Sequence, residues 1–562
     1  QADSLYSIYD YTIPSYIPFL IAKEAARDDS TEVNLQTLRD KIQGLIPYQM
    51  PYNVVTNING DPQTRMAFCW FTNERMKEGR VELMPLSDNQ QPNNENFTPS
   101  IVIPATPTIT LPLNYATSSS GILKAAKMKL TQEYTYVSHK AIAEGLTPNT
   151  TYAYRVGTEG YWSEIGFFTT APDKEEPFTF IYMTDSHIMN QAYVDEARMC
   201  ATAAAQYVPE ARFCVFPGDF VETGTNRNSE WEWERWFDEA LQPVIQQMPI
   251  VPTDGNHDDS ENLNYSYHFN TDNQFKENAH IKPQFDGTTY SFMYGDVLFL
   301  VYSLQDYWKG AYSLSSLTST YLTNDVGNWF REQVQAHPEA KWRVALVHKN
   351  IFSGSSHQED EEPPLFRATM LPIMKECEID LMLQGHDHCY EVIGPVNPDT
   401  QTPIKEAIAD LEPTVLSASR NKGGTFTVND GTLYFIGATC GSKRYSPNSK
   451  AVMEADFSKH KVENYYDLFT GMFCQPGAPS YSSFTVDGNT ITVNSYKVPK
   501  GKAPELFNTF RIKRTKDHAA QTSDQKKALK IMQNGLVYIM HDNITYNSIG
   551  QIVFNGNVAN SR

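Results

Sequence analysis

The chain reads as an all-β sandwich, followed by an α/β (α+β) layered domain and a small β tail. Three observations predict this. Between residues 54 and 172, short β-rich runs alternate with turn signals. Beyond residue 177, apolar strands alternate with helical patterns. Past about Asn397 the sequence turns β-rich again. With 562 residues the chain is well past the size at which one hydrophobic core stops growing, so several domains are expected. The boundaries read as a helical segment at 1–53, the β-sandwich at 54–172, the layered domain at 173–514, and a linker with β tail at 515–562.

Taken in order, residues 18–28 form a plausible amphipathic helix with proline at a tolerated first-turn position. A second helix is expected at 35–45, and a Pro-containing stretch at 46–52 closes the region. No chemistry is visible there; packing against a neighbouring domain is the expected use. The β-sandwich rests on runs at 66–71, 80–83, 101–112, 134–138, 151–156 and 165–169. Residues 171–177 read as a linker. The clearest helix is 231–247, where Trp233, Trp236, Phe237, Ala240, Leu241, Val244 and Ile245 recur at the helical period. Pro243 should kink its last turn, and the aromatic stripe is expected in the core. Residues 432–437 and 481–493 read as strands, the second with Asp487-Gly488 as a hairpin signal. The charged stretch 513–530 looks like a linker, and 535–553 alternates as a small β tail. No solenoid repeat is present.

Bulk properties narrow the function. The formal charge of −20 disfavours non-specific binding to nucleic acid or an anionic membrane. It leaves room for an anionic substrate, because bound cations can dominate a local field. No run of about 18 uncharged apolar residues exists, so no transmembrane helix is expected. The seven cysteines include no CxxC pair, and Cys200 and Cys214 sit in apolar contexts suited to a core. Cysteine usage does not settle the compartment. The first residue is Gln1 rather than Met, so a preceding segment is expected to have been removed.

Five segments share one design: an apolar strand that ends in potential metal ligands. They deliver Asp185 and His187; Asp219 after Gly218; Asn256, His257 and Asp258 after Gly255; His348; and His386 and His388 after Gly385. In open α/β sheets, ligands bind outside the carboxyl ends of the strands, so five such ends can converge. Imidazole, carboxylate and amide together suit Mn, Fe or Zn rather than Ca or Mg alone. The absence of Cys ligands argues against a closed structural zinc site. One four-coordinate ion cannot use Asp185, His187, Asp219, Asn256, His348, His386 and His388 together. Two ions sharing a carboxylate can. The glycines permit tight turns and close backbone approach to the ions.

The ordered set Asp-x-His, Gly-Asp, Gly-Asn-His-Asp, His, Gly-His-x-His resembles the calcineurin-like metallophosphoesterases over roughly residues 177–512. That resemblance implies a four-layer fold, two β-sheets flanked by helices. It implies one metal on Asp185, His187, Asp219 and His388, and another on Asp219, Asn256, His348 and His386, with His257 beside the substrate. The segment Gly145-Leu-Thr-Pro-Asn-Thr-Thr-Tyr152 is similar to the late strands of fibronectin type III domains, where Leu146, Pro148 and Tyr152 match a Leu-x-Pro-x-x-x-Tyr corner. A fibronectin-like domain placed before the catalytic one resembles the order in purple acid phosphatases, as do 290–299 and 385–391. Two departures stand out. His187 occupies a position where that branch has Gly. Glu222 occupies the position of its chromophoric Tyr, which puts mixed-valent iron chemistry in doubt.

The expected function is hydrolysis of small phosphate esters, monoesters favoured or else diesters, by a hydroxide bridging two divalent or trivalent ions (Mn, Fe or Zn). His257 is expected to protonate the leaving oxygen or to hydrogen-bond the phosphate. Asp258 is expected either to orient His257 through its ring nitrogen or to cap a helix. His357, in Phe352-Ser-Gly-Ser-Ser-His357, resembles a substrate-facing loop of the purple branch. His139, His268, His280, His337, His460, His518 and His541 stand alone and read as surface residues. A non-catalytic surface or carbohydrate-binding protein on a phosphoesterase fold is the alternative; it would require ligand losses that the sequence does not show. The tail resembles short C-terminal β modules in exported proteins of Bacteroidetes, which implies a secreted, periplasmic or cell-surface protein.

Overall fold

A computed structural model describes residues 6–87, 91–115, 133–222, 229–258, 264–272, 274, 287–305, 317–413, 421–455 and 462–518. Within 529–555 it describes the backbone of four strands. Residues 1–517 form one compact unit and 518–562 a second.

Period-two alternation builds the layers of the first unit. In the strand Phe178–Tyr182, Phe178, Phe180 and Tyr182 enter a core between two sheets, while Ile181 and the following Met183 face helices on the other side. The strand Val297–Val301 mirrors this. Val297, Phe299 and Val301 face the inter-sheet core, and Leu298 and Leu300 face the helices at 317–336 and 362–376. The outer helix layer of the first sheet comes from Gln191–Tyr207 and the segment 230–245. The result is the four-layer arrangement, helix, sheet, sheet, helix.

Parallel pairing sets which end carries the site. Phe178–Tyr182, Ala211–Pro217 and Ile250–Thr253 run side by side in one sheet. Trp342–Leu346, Leu381–Gln384 and Thr432–Gly437 do so in the other. Their carboxyl ends therefore open on one edge, where ligand sites form in such sheets. The strand pair Ser480–Asp487 and Thr490–Lys497 borders Phe178–Tyr182. Its turn residues are Gly488 and Asn489, one step beyond the expected Asp-Gly pair, with Gly488 at φ 54°.

The first sheet does not stop at these parallel strands. Its twelve strands continue from Ile250–Thr253 into Tyr52–Asn57, Met66–Asn73, Tyr136–Ala143 and Thr106–Ile109 of the β-sandwich. Asn57 and Asn270 lock the seam: Asn57 Nδ2 donates to the Ile250 carbonyl at 3.1 Å, and Asn270 Nδ2 donates to the carbonyls of Phe68 and Ala141 at 3.1 and 2.9 Å. The expected corner in the sandwich is present, with the Thr147 N–H donating to the Tyr152 hydroxyl at 3.0 Å.

Four expectations change. The first helix is Ile13–Asp28, five residues earlier than read, because Pro14 rather than Pro18 takes the first turn. The segment 231–247 is not one helix: it is α over Glu230–Arg235, π over Trp236–Ala240 and α over Gln242–Ile245. Pro243 has no N–H to continue the ladder, so the chain breaks at Leu241 and restarts with proline in its first turn. His139 and His268 are buried rather than superficial. His139 stacks on Trp70 at 5.1 Å, and Thr72 Oγ1 lies 2.8 Å from its Nε2. His268 lies against Phe71 and Trp233, with its Nε2 3.1 Å from Glu230. Aromatic neighbours and one polar partner each make burial of an imidazole tolerable. His280 and His460 lie outside the described residues, as does 519–528 of the expected linker. The second unit is an antiparallel sheet of Leu529–Gln533, Leu536–His541, Ile544–Asn547 and Ile552–Asn555.

Candidate metal centre

Each strand end feeds a short loop, and the loops are tied to one another by backbone hydrogen bonds. The Asp185 N–H donates to Gly218 O (3.2 Å), that of His187 to Asp219 O (3.1 Å) and that of Gly385 to His348 O (2.9 Å). The N–H of His386 donates to the Asp185 carboxylate at 3.1 Å. Five of the seven expected ligands hold left-handed backbone angles: Asp185, His187, Asp219, His386 and His388, with φ from 47° to 72°. Such non-glycine conformations cost of order 1–3 kcal/mol each and cluster where surroundings enforce them at functional sites. Gly218 shows the enforcement: at φ 81°, a Cβ there would lie 2.6 Å from the Gly255 nitrogen and 2.8 Å from His348 Nδ1.

The side chains meet in two adjoining groups. Ligand atoms of Asp185, His187, Asp219 and His388 lie within 4.8 Å of one another, as do those of Asp219, His348 and His386. Asp219 Oδ2 stands between the groups, 3.3 Å from His187 Nε2 and 3.2 Å from His348 Nε2. Asn256 Oδ1 joins the second group, 3.1 Å from His348 Nε2. His187 Nε2 and His388 Nε2 face each other at 2.9 Å, and His388 Nε2 is 3.1 Å from Asp185 Oδ1. All seven expected ligands are thus brought together.

The electrostatics favour cations here. Burial works against charge on Asp185, but the imidazoles of His388 and His187 hold its carboxyl below the usual range. Asp219 is likewise held well below it, by His348, His257 and His187 against the cost of burial. In return, and again against burial, the Asp219 carboxylate lifts His187 and His348 to about 9. Burial pushes His388 down to about 4 and His386 well below its ordinary value. Two buried carboxylates that draw positive charge, with imidazole nitrogens at 3.1–3.3 Å, suit a pair of transition-metal ions. Imidazole orientation is fixed from behind at His348, whose Nδ1 lies 2.7 Å from Pro217 O and leaves Nε2 to the site.

The remaining expected residues differ in fate. His257 borders the first group, its ring 4.7 Å from that of His187 and its Nδ1 against the Glu222 carbonyl at 2.5 Å. Asp258 does not orient it. The Asp258 carboxylate accepts backbone N–H groups of Asp219 (2.7 Å), Gly255 (2.8 Å), Phe220 (2.9 Å) and Val221 (3.3 Å), so it braces the loop that carries Asp219. His357 reaches the centre: its ring stacks on His386 at 3.8 Å, and Asp360 Oδ2 holds its Nδ1 at 2.8 Å.

Sequence reasoning missed the loop after Thr432–Gly437. Thr439 Oγ1 donates to Asp185 O (2.6 Å), Lys443 Nζ lies 3.3 Å from both Glu222 carboxylate oxygens, and the Tyr445 ring stacks on His388 at 4.3 Å. Asp387 was also missed; its Oδ2 accepts from Ser353 Oγ and the Gly354 N–H and so braces the His357 loop. The strand-end rule that found the other five loops, applied to 432–437, is the signal that would have found Thr439, Lys443 and Tyr445.

Comparison with known proteins agrees with this geometry. Residues 178–390 match the calcineurin-like phosphoesterase family, and residues 51–170 match the purple acid phosphatase N-terminal domain. An uncharacterized protein of Mycobacterium tuberculosis is 25% identical over 281 residues, covering 46% of this chain and 52% of the relative. Purple acid phosphatase 18 of Arabidopsis thaliana is 23% identical over 270 residues, covering 47% and 55%. The chain spans about half the length of the curated relatives it matches. Among solved structures, purple acid phosphatase PPD1 of yellow lupin aligns with a TM-score of 0.57 at 14% identity, over 83% of this chain and 75% of that one. PhoD aligns with a TM-score of 0.54 at 12% identity, over 83% and 91%. The fold is of the kind these proteins share.

Proposed function

Because the chain carries a calcineurin-like phosphoesterase domain behind a purple acid phosphatase N-terminal domain, we propose that it hydrolyses small phosphate esters at a binuclear metal centre. The observation that carries the reading is Asp219 Oδ2, set within 3.3 Å of one imidazole nitrogen from each ligand group. Asp185, His187, Asp219 and His388 would hold one ion; Asp219, Asn256, His348 and His386 would hold the other. Bound Mn, Fe or Zn would make hydroxide available near neutral pH and neutralise charge on the phosphate oxygens.

The chain's own groups supply the rest. His257 stands at the edge of the first ligand group, its Nδ1 engaged by a backbone carbonyl, so its other nitrogen serves the leaving oxygen. His357, stacked on His386 and oriented by Asp360, forms a second wall for the substrate. Monoesters are the favoured substrates, in keeping with the domain order. Among the described residues no helix is long and apolar enough to cross a membrane. Export to the periplasm, the surface or the medium is proposed from the C-terminal β module; cell fractionation tests it.

The function test is a panel of phosphomonoesters, diesters, nucleotides and phospholipids assayed with Mn, Zn, Fe and Mg in turn. Hydrolysis by chelator-stripped protein would end the reading. A rate on bis(aryl) phosphate far above that on the aryl monophosphate would reverse the monoester preference.

A further inference from the structure

The two positions at which the sequence departs from the purple acid phosphatase pattern, 187 and 222, are in direct contact. His187 Nδ1 lies 2.7 Å from Glu222 Oε2. On the opposite edge of the same ring, His187 Nε2 faces Asp219 Oδ2 at 3.3 Å and His388 Nε2 at 2.9 Å. Imidazole has one exchangeable proton in its neutral form. A carboxylate at Nδ1 takes that proton in a hydrogen bond and leaves the Nε2 lone pair to the ligand cluster.

We propose that Glu222 is the positioning residue for His187, and that Lys443 holds Glu222 in turn. The inference rests on the reading of this cluster as a metal centre. Glu222 approaches the ring edge turned away from Asp185 and Asp219, so it stands outside the group those carboxylates form; with His187 and His257 it makes a separate group whose ligand atoms lie within 4.8 Å of one another, and the zinc count below distinguishes a partner of His187 from a ligand. Its backbone is pinned at both ends: the N–H donates to Glu232 Oε2 at 3.1 Å, and the carbonyl meets His257 Nδ1. Lys443 Nζ stands 3.3 Å from both carboxylate oxygens, and the two side chains are only 25% and 22% exposed. His187 itself is fully buried, with its backbone at φ 47°, so its ring has little freedom once Glu222 is set. Three segments far apart in the chain thereby meet to aim one nitrogen. A histidine at 187 without a carboxylate at 222 would leave Nδ1 unpaired in a buried site. The two departures work as one unit.

The test uses full-length protein, stripped with chelator and titrated with Zn(II) against a chromogenic competitor. Glu222→Met removes the acceptor at nearly constant size. It should weaken the ion that His187→Ala also weakens by about ten- to a hundredfold, the usual effect of losing a partner behind a ligand. Glu222→Gln keeps an oxygen to accept from Nδ1 and should stay close to wild type. Lys443→Met should weaken the same ion less than Glu222→Met. In the His187→Ala background, Glu222→Met should have no further effect on zinc. Unfolding midpoints of the metal-free variants separate misfolding from lost affinity; if Glu222→Met does not fold, Glu222→Gln and Lys443→Met carry the comparison. Wild-type affinity for both ions in Glu222→Met, or an equal loss with and without His187, overturns the proposal. So does loss of a third zinc equivalent, which would make Glu222 a ligand. A wild type that binds no zinc would overturn the metal-centre reading beneath it, a distinct result.

Discussion

Asp258 allows the bracing of the metal loops to be measured without touching a ligand. Its carboxylate is fully buried. Oδ2 accepts from the N–H groups of Asp219 and Gly255, and Oδ1 from those of Phe220 and Val221. Asp258→Asn preserves shape, but its NH₂ must replace one oxygen, so two N–H donors face another donor. A buried N–H left without its acceptor costs about 1–3 kcal/mol, so the loss is about 2–6 kcal/mol. That is a large share of a typical folding free energy. In either amide orientation one broken bond is to Asp219 or Phe220, so the shared carboxylate loses its fixed position. The assay is urea unfolding of chelator-stripped protein followed by tryptophan fluorescence, then zinc titration of the folded variant. The unfolding midpoint should fall clearly, and affinity for both ions should drop at least tenfold. Unchanged unfolding together with unchanged zinc binding would refute the reasoning.

Asp219→Ala, which removes the one carboxylate shared by both groups, should abolish nearly all phosphatase activity and reduce bound metal to less than one ion; near-normal turnover would count against a shared ligand. The iron-loaded protein should show no strong visible band, because Glu222 replaces the chromophoric Tyr; if a band appears, Tyr445→Phe should remove it if Tyr445, stacked on His388, is its source. His257→Ala should leave metal content nearly unchanged and slow an alkyl phosphate by about 10²–10⁴-fold, with a smaller effect on nitrophenyl phosphate, whose leaving group departs unprotonated; equal slowing would place His257 on the phosphoryl oxygens. Burial lowers His139 from 6.5 to about 4, so the unfolded chain takes up a proton that the folded one refuses. Its contribution to stability is present above pH 6.5 and lost as pH falls to about 4, by up to roughly 3 kcal/mol at 1.36 kcal/mol per unit; unfolding midpoints of wild type and His139→Phe compared from pH 7 to 4.5 should show the difference shrink or vanish in the variant.

Layers and strand ends were legible because they rest on short-range rules. Apolar runs such as 178–182 announce strands buried on both faces, and glycine before Asp219, Asn256 and His386 announces tight turns. What escaped depends on distant pairing. Nothing in 52–57 or 250–253 says that the two would lie parallel and carry the first sheet into the β-sandwich; Asn57 and Asn270 make that seam, and neither has a local sequence signature for it. The break at Leu241 escaped because the helical period persists across it, and the widened turn at 236–240 keeps Trp236 and Phe237 in the core without a visible change in spacing. His139 and His268 read as superficial because an isolated histidine has no local signature; their partners Trp70, Thr72, Phe71 and Glu230 lie 38 to 197 residues away by sequence number.

The site divides along the same line. The candidate ligands were readable because each sits directly after its own strand, but what aims them is not local. Sequence proximity offers His257 or a helix cap as the partner of Asp258; in space it faces four amides, and a carboxyl surrounded by N–H donors has no reason to turn toward an imidazole. His257 instead rests on Glu222, and Glu222 also serves His187. One residue at the end of the Gly-Asp loop therefore touches both rings, through its carboxylate at His187 and its backbone carbonyl at His257. The left-handed angles at Asp185, His187, Asp219, His386 and His388 point the same way. Such strain persists only where surrounding bonds over-determine the backbone. Here the bonds run between loops, from His187 to Asp219, from Gly385 to His348 and from His386 to Asp185. The centre is thus held by the protein as a network across strands, and substitutions in that network should alter metal binding even where no ligand is changed.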